Sequence, residues 1–231
     1  MSVISKYKPT HLDEIIYPDY ATERCVKSLG DGRLSGHVMF YGPNGTAKTT
    51  AANLLVKSIG GNEADIETKQ INQLLAMNDL EGYLQRACSM NQGSESGKFF
   101  LLFNEFDKAK GDIDKLWNAM DKLGDSLMLI ITTNEEMKID RAIRSRCQMI
   151  EFPALRAVSV LPRAQQILAA EGLVMPDADV LAALKTVENF GDIRKYMTAL
   201  DHLLLVNPSQ KPKPIVQKPT LTVVKPQQPK E

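Results

Sequence analysis

Apolar residues gather in four short runs along the chain, at "HVMFYG" (37–42), "KFFLLFNEF", "SLMLIITTN" and "CQMIEF" (147–152). Short runs of this kind, rich in branched and aromatic side chains, suit strands buried on both faces. Between them, "TTAANLLVKS" (49–58), "KQINQLLAMNDLEGYLQRACSM" and "GDIDKLWNAMDKL" repeat apolar residues at helical spacing. Alternating strands and helices predict an α/β fold: a parallel sheet flanked by helices, with a ligand site at the loops leaving the strands. After Pro153 the strand pattern stops. "AVSVLPRAQQILAAEGL", "PDADVLAALKTVENF" and "GDIRKYMTALDHLLLV" predict three helices, with Gly172 and Gly191 where helices end or begin. The expected units are therefore an α/β domain over 1–153, a small helical bundle over 154–206 and a disordered tail over 207–231.

Composition changes this picture only at the tail. The chain has 231 residues, 43% hydrophobic and 24% charged, an ordinary soluble balance. Its 28 basic and 28 acidic side chains cancel, but five lysines and one acid, Glu231, lie from Asn207 onward. The tail thus carries +4 and the remainder −4. That tail also holds six of the twelve prolines, which favours extended chain. It is expected to be disordered or, through the segment "TLTVV", to bind a partner. Cys25, Cys88 and Cys147 are widely spaced, without the clustering of a zinc site or a disulfide framework. With no signal-peptide pattern and no membrane-length apolar run, the expected location is the cytoplasm, that of the host if the protein is phage-encoded.

Candidate chemistry begins at "GPNGTAKT", 42–49, between a predicted strand and a predicted helix. Such a loop converges backbone N–H groups on phosphate oxygens at a helix N-terminus. Gly42 and Gly45 permit the turn, Lys48 is placed for the β- and γ-phosphates, and Thr49 for Mg²⁺. Ala47 stands where the pattern has glycine, which is tolerable if its backbone is near helical. At the tip of "FFLLFNEFD", Glu105 is the candidate to orient or deprotonate an attacking water. Asn104 takes the place of the expected metal-side carboxylate, keeping a carbonyl oxygen but not the charge. Asn134, ending "IITTN", is placed for the attacking water or a γ-phosphate oxygen. Arg144 and Arg146 form a short basic segment, for which a surface salt bridge is the default, and Arg194 opens the last helix.

Together these residues resemble the AAA+ ATPases and, within them, the small ATPase subunits of sliding-clamp loaders. "SKYKPTHLDEIIYP" (5–18) is similar to the loaders' N-terminal segment along the adenine, "SRC" (145–147) to their arginine-finger motif, and "GDIRK" (191–195) to their second sensor. "NEFDKA" reads like the T4-like phage version apart from Asn104. The resemblance runs from about residue 5 to 206 and implies a P-loop AAA+ domain, a helical lid and a Pro/Lys-rich tail. It implies ATP and Mg²⁺ as ligands. Tyr7, Pro9, Ile15 and Ile16 would border the adenine. Gly42, Pro43, Asn44, Gly45, Thr46, Ala47, Lys48, Thr49 and Thr50 would bind phosphates, with Thr49 and Asn104 on the metal side. Glu105, Asn134 and Arg194 would act in the subunit's own site, and Arg146 in trans, in a neighbour's.

The implied partners are a sliding clamp, primer–template DNA, and other loader subunits or copies of this chain. Lys108 and Lys110 are candidates for DNA contact, ordinary solvated lysines being the alternative. Two departures stand out: Asn104 predicts slow hydrolysis, and the collar domain of loader subunits has no counterpart in the sequence. The rival expectations are another AAA+ replication or recombination motor, of helicase-loader or branch-migration type, and a weakly hydrolysing ATP-dependent scaffold.

Overall fold

The computed structural model describes residues 2–59, 66–68, 71–92, 96–106 and 113–207. Lys108, Lys110 and nearly all of the expected tail lie outside the described residues. Five strands form one parallel sheet: β1 (His37–Tyr41), β2 (Ile66–Thr68), β3 (Phe99–Phe103), β4 (Leu127–Thr133) and β5 (Cys147–Glu151). Their spatial order is β2-β3-β4-β1-β5. The four apolar runs supply β1, β3, β4 and β5. β2 is an addition, because "EADIETKQ" offers one strong apolar residue and no period from which a three-residue edge strand can be read.

Side chains of the central strands alternate between two cores, as a pleated sheet requires. Met39, Leu101, Phe103, Leu129 and Ile131 face one side, against helices α5 (Leu80–Asn91) and α6 (Asp114–Leu123). Val38, Phe40, Phe100, Leu102, Met128 and Ile130 face the other, against α2 (Tyr20–Gly30) and α3 (Lys48–Ser58). α2 was not apparent from the sequence pattern; Asp19 starts it by accepting a hydrogen bond from Thr22 N. The long segment read as one helix is two, α4 (Ile71–Leu75) and α5, because the Asp79 carboxylate accepts from Gly82 N and restarts the helix there.

After α7 (Arg141–Arg144) and β5, the remaining elements among the described residues are helical. α8 (Ala157–Ala170), α9 (Asp177–Lys185) and α10 (Ile193–Val206) bury Val160, Ile167, Leu184, Tyr196 and Leu200 in a separate core. A short N-terminal helix, α1 (Val3–Lys6), joins that core rather than the sheet's: Val3 is buried in it, and Val3 N donates to the Asp201 carboxylate at 2.9 Å. The Tyr7 hydroxyl donates to Glu171 Oε1 at 2.6 Å, and Lys6 pairs with the same carboxylate. Val3, Lys6 and Tyr7 thus fasten the N-terminal arm to the helical bundle.

Candidate nucleotide-binding site

The phosphate loop leaves β1 and enters α3, with little room for any side chain at its glycines. Gly42 has φ +134°, and a Cβ there would stand 2.2 Å from the Phe152 carbonyl oxygen. Gly45 has φ +77°, and a Cβ there would stand 2.0 Å from the carboxyl carbon of Asp192. Ile193 N also donates to the Gly45 carbonyl at 2.9 Å, so the first turn of α10 rests directly on the loop. Thr46 is fully buried and its hydroxyl donates to the Pro43 carbonyl. Lys48 Nζ donates to the Gly42 and Pro43 carbonyls at 2.7 and 2.6 Å, which holds the ammonium against the loop.

Ala47 departs from the sequence expectation. Its backbone is left-handed, φ 69° and ψ 13°, not near the right-handed helix. Its Cβ therefore sits in a region that disfavours every residue with a side chain. Ala47→Gly is expected to stabilise the fold by about 1 kcal/mol, the relief of that contact net of glycine's greater freedom when unfolded. Chemical denaturation checks it: the midpoint rises at constant slope, whereas an unchanged or lower midpoint refutes the assignment of strain.

The tips of β3 and β4 carry the polar wall. Glu105 also adopts a positive φ, 55°, and its N–H lies 3.4 Å from the Thr132 hydroxyl oxygen. That hydroxyl donates to Asn104 Oδ1 at 3.1 Å. The Asn104 carbonyl oxygen is thereby engaged by β4, while the backbone turn at Glu105 brings the next side chain to the cavity. Thr132 and Thr133 are buried and Asn134 is half-buried beside them.

One cavity of about 440 Å³ joins these pieces, a size suited to a small organic ligand. Tyr7, Pro9, Ile15 and Ile16, residues 44–50, Glu105, Asn134 and Arg194 all line it. Gly42, Pro43, Asn104 and Arg146 do not. The sequence reading missed Ile4, Lys8 and Glu14 from the N-terminal arm, Thr132 and Thr133 from β4, and Arg163, Ile167, Ile193 and Met197 from the bundle. The threonines stood next to Asn134 at the end of an apolar run, a signal that was available. The bundle residues carried none, because helical periodicity marks them simply as core or surface.

Arg194 reaches the cavity from the start of α10. Its Nε and Nη2 donate to the Asp192 carboxylate at 3.0 and 2.7 Å, and the same carboxylate caps the helix by accepting from Arg194 N at 2.8 Å. Burial pushes the Asp192 carboxyl up, but the Arg194 bonds outweigh it and hold the group below the usual carboxylate range. Arg146 lies elsewhere. It precedes Cys147, which pairs with His37 at the start of β1, whereas Glu151 pairs with Tyr41 next to the loop. Four strand steps separate those levels, about 13 Å at ~3.3 Å per residue.

The donors suit a hard cation that keeps most of its shell on ligand oxygens. Among the described residues no group of three His, Cys, Asp or Glu is placed to hold an ion. The Thr49 hydroxyl beside the cavity, together with the phosphate oxygens of a bound nucleotide, would supply the oxygen ligands that Mg²⁺ takes in nucleotide sites.

Residues 38–154 match the ATPase family associated with various cellular activities (AAA). The replication factor C small subunit of Natronomonas pharaonis is 28% identical over 200 residues, covering 85% of this chain and 60% of the relative. The sliding-clamp-loader large subunit of Escherichia phage RB69 is 28% identical over 206 residues, covering 85% and 62%. The chain therefore spans about three-fifths of the length of these relatives. Among solved structures, the Thermotoga maritima RuvB Holliday junction branch migration motor has a TM-score of 0.64 at 16% identity, covering 89% of this chain and 68% of that one. That likeness is one of fold.

Proposed function

The chain belongs to the AAA family of ATPases, and from that premise we propose that it is an ATP-hydrolysing motor subunit of a sliding-clamp loader. It would act on primer–template DNA and a sliding clamp, with other loader subunits or with copies of itself. Relatives named as replication factor C small subunit and sliding-clamp-loader subunit support this reading. The observation that carries it is the division of the candidate residues: Lys48, Glu105, Asn134 and Arg194 gather at one end of the sheet, and Arg146 sits near the other.

In this mechanism the apolar wall of Pro9, Ile15, Ile16, Ile167 and Met197 takes the base. The loop N–H groups and Lys48 hold the phosphates, Lys48 exchanging its carbonyl partners for phosphate oxygens. Glu105 orients the attacking water and accepts its proton, with Asn134 beside it. Mg²⁺, held by Thr49 and phosphate oxygens, would neutralise charge on the β- and γ-phosphates. Arg194 ties the bundle and the N-terminal arm to the occupancy of the pocket, because its helix rests on Gly45 and α1 packs on that same helix. Closing around ATP and relaxing after hydrolysis is then a difference in affinity between two bundle positions. Lys108 and Lys110 are the candidates for contact with the DNA backbone.

The assay measures ATP hydrolysis alone, with primed DNA, and with DNA plus clamp. Stimulation requiring clamp and DNA together supports the loader. Stimulation by DNA alone favours another replication or recombination motor, and tight binding without turnover favours a scaffold. The engagement of the Asn104 oxygen by Thr132 bears on rate. Asn104→Asp restores a negative charge beside the metal and is expected to raise turnover on the order of 10-fold. Single-turnover hydrolysis checks it, and an unchanged rate means the amide is not limiting.

A further inference from the structure

Arg146 is held from three sides within its own subunit. Its Nε and Nη2 donate to the two carboxylate oxygens of Asp121 at 2.7 and 2.6 Å. Nη1 donates to the Ala142 carbonyl at 3.0 Å, and the guanidinium carbon lies 4.8 Å from the centre of the Trp117 ring. Asp121 and Trp117 are four residues apart on α6 and so share a helix face. The ring is itself fixed, its Nε1–H donating to Asp114 Oδ1 at 3.0 Å.

Arginine has five N–H donors in a planar fork. Three are used here, and one on each terminal nitrogen has no acceptor among the described residues. Asp121 is half exposed and Arg146 about a quarter exposed, so the pair stands at the surface rather than in a core. An exposed pair of this kind contributes little to stability, yet it freezes a long side chain that would otherwise sample many rotamers. Freezing it before assembly removes that entropy loss from the step in which the arginine meets its target.

We propose that Asp121 and Trp117 are positioning residues that hold Arg146 preformed, with its two remaining N–H groups directed to a phosphate of the triphosphate bound by a neighbouring subunit. The proposal rests on the reading of Arg146 as acting in trans. Asp121 stays bound while the arginine works, so its removal impairs the neighbour's hydrolysis instead of releasing a brake.

The test uses the full chain in its assembly with clamp and DNA. Asp121→Ala is expected to lower turnover at least tenfold while nucleotide affinity stays at the wild-type value. Asp121→Asn, which keeps one acceptor of the two, falls between. Trp117→Leu, which keeps an apolar body without the ring face, gives a smaller loss in the same direction. The decisive readout is a double-mutant cycle: Asp121→Ala adds nothing on top of Arg146→Ala, because it acts only through that arginine. Full turnover in Asp121→Ala, or a loss that multiplies with that of Arg146→Ala, overturns the proposal. If Arg146→Ala alone leaves turnover intact, the trans reading fails first and takes this proposal with it.

Discussion

Arg146→Ala is expected to lower ATP turnover in the assembled, DNA- and clamp-bound state on the order of 10³-fold, the scale on which an arginine supplied to a phosphoryl-transfer site acts. The size follows from where the charge develops. As the γ-phosphoryl group leaves, negative charge spreads over oxygens in a site closed to water, where a fixed cation stabilises far more than in solvent. The fold keeps Arg146 away from its own pocket, because the residue precedes the first residue of β5 while the phosphate loop lies beyond the level of Tyr41 and Glu151. A defect confined to the assembled state, with nucleotide affinity preserved in the isolated chain, is therefore the expected signature. Steady-state hydrolysis with and without partners measures it, and an equal loss in both states contradicts the trans role.

Lys48→Ala is expected to weaken nucleotide binding by about 100-fold. The ammonium is nearly buried and is already directed to the loop by the Gly42 and Pro43 carbonyls. Charge-assisted hydrogen bonds to phosphate oxygens are worth about 1.5–3 kcal/mol each, so two of them at the low end, ~3 kcal/mol, account for a loss of that order. Titration with a fluorescent ATP analogue checks it, alongside a thermal melt to show that the variant folds. Wild-type affinity would mean that the cavity does not hold phosphates at this loop.

The parts of the molecule legible in the sequence are those with a local physical signature. A phosphate loop must be built from consecutive residues between a strand and a helix, so 42–49 announces itself. The four apolar runs likewise reported their strands, and the change after Pro153 reported the helical part. Other features depend on partners distant in sequence. β2 is a strand because β3 offers it an edge. α1 belongs to the bundle because Asp201 and Glu171 receive it, nearly the whole chain away. The Ile167 and Met197 side of the cavity is invisible until α8 and α10 are brought to the loop. Positive φ at Ala47 and Glu105 leaves no trace in residue type, since neither is a residue that prefers that region. At Glu105 this backbone turn separates the fate of two adjacent side chains, Asn104 on Thr132 and Glu105 on the cavity.

The same contrast applies to the arginines. "SRC" and "GDIRK" identify Arg146 and Arg194 by resemblance, but not the acids that hold them. Asp192 lies two residues from Arg194 and is legible as a helix cap. Asp121 lies 25 residues from Arg146, on a helix whose pattern distinguishes simply its buried and exposed faces.

The most direct measurement mixes two inactive variants. At nucleotide concentrations well below their raised Kd, Lys48→Ala subunits stay empty but still present Arg146; Arg146→Ala subunits bind nucleotide but present no arginine. If one active site is shared between two subunits, assemblies formed from the mixture regain DNA- and clamp-stimulated ATP hydrolysis that neither variant shows alone. A mixture as inactive as its components would contradict the account.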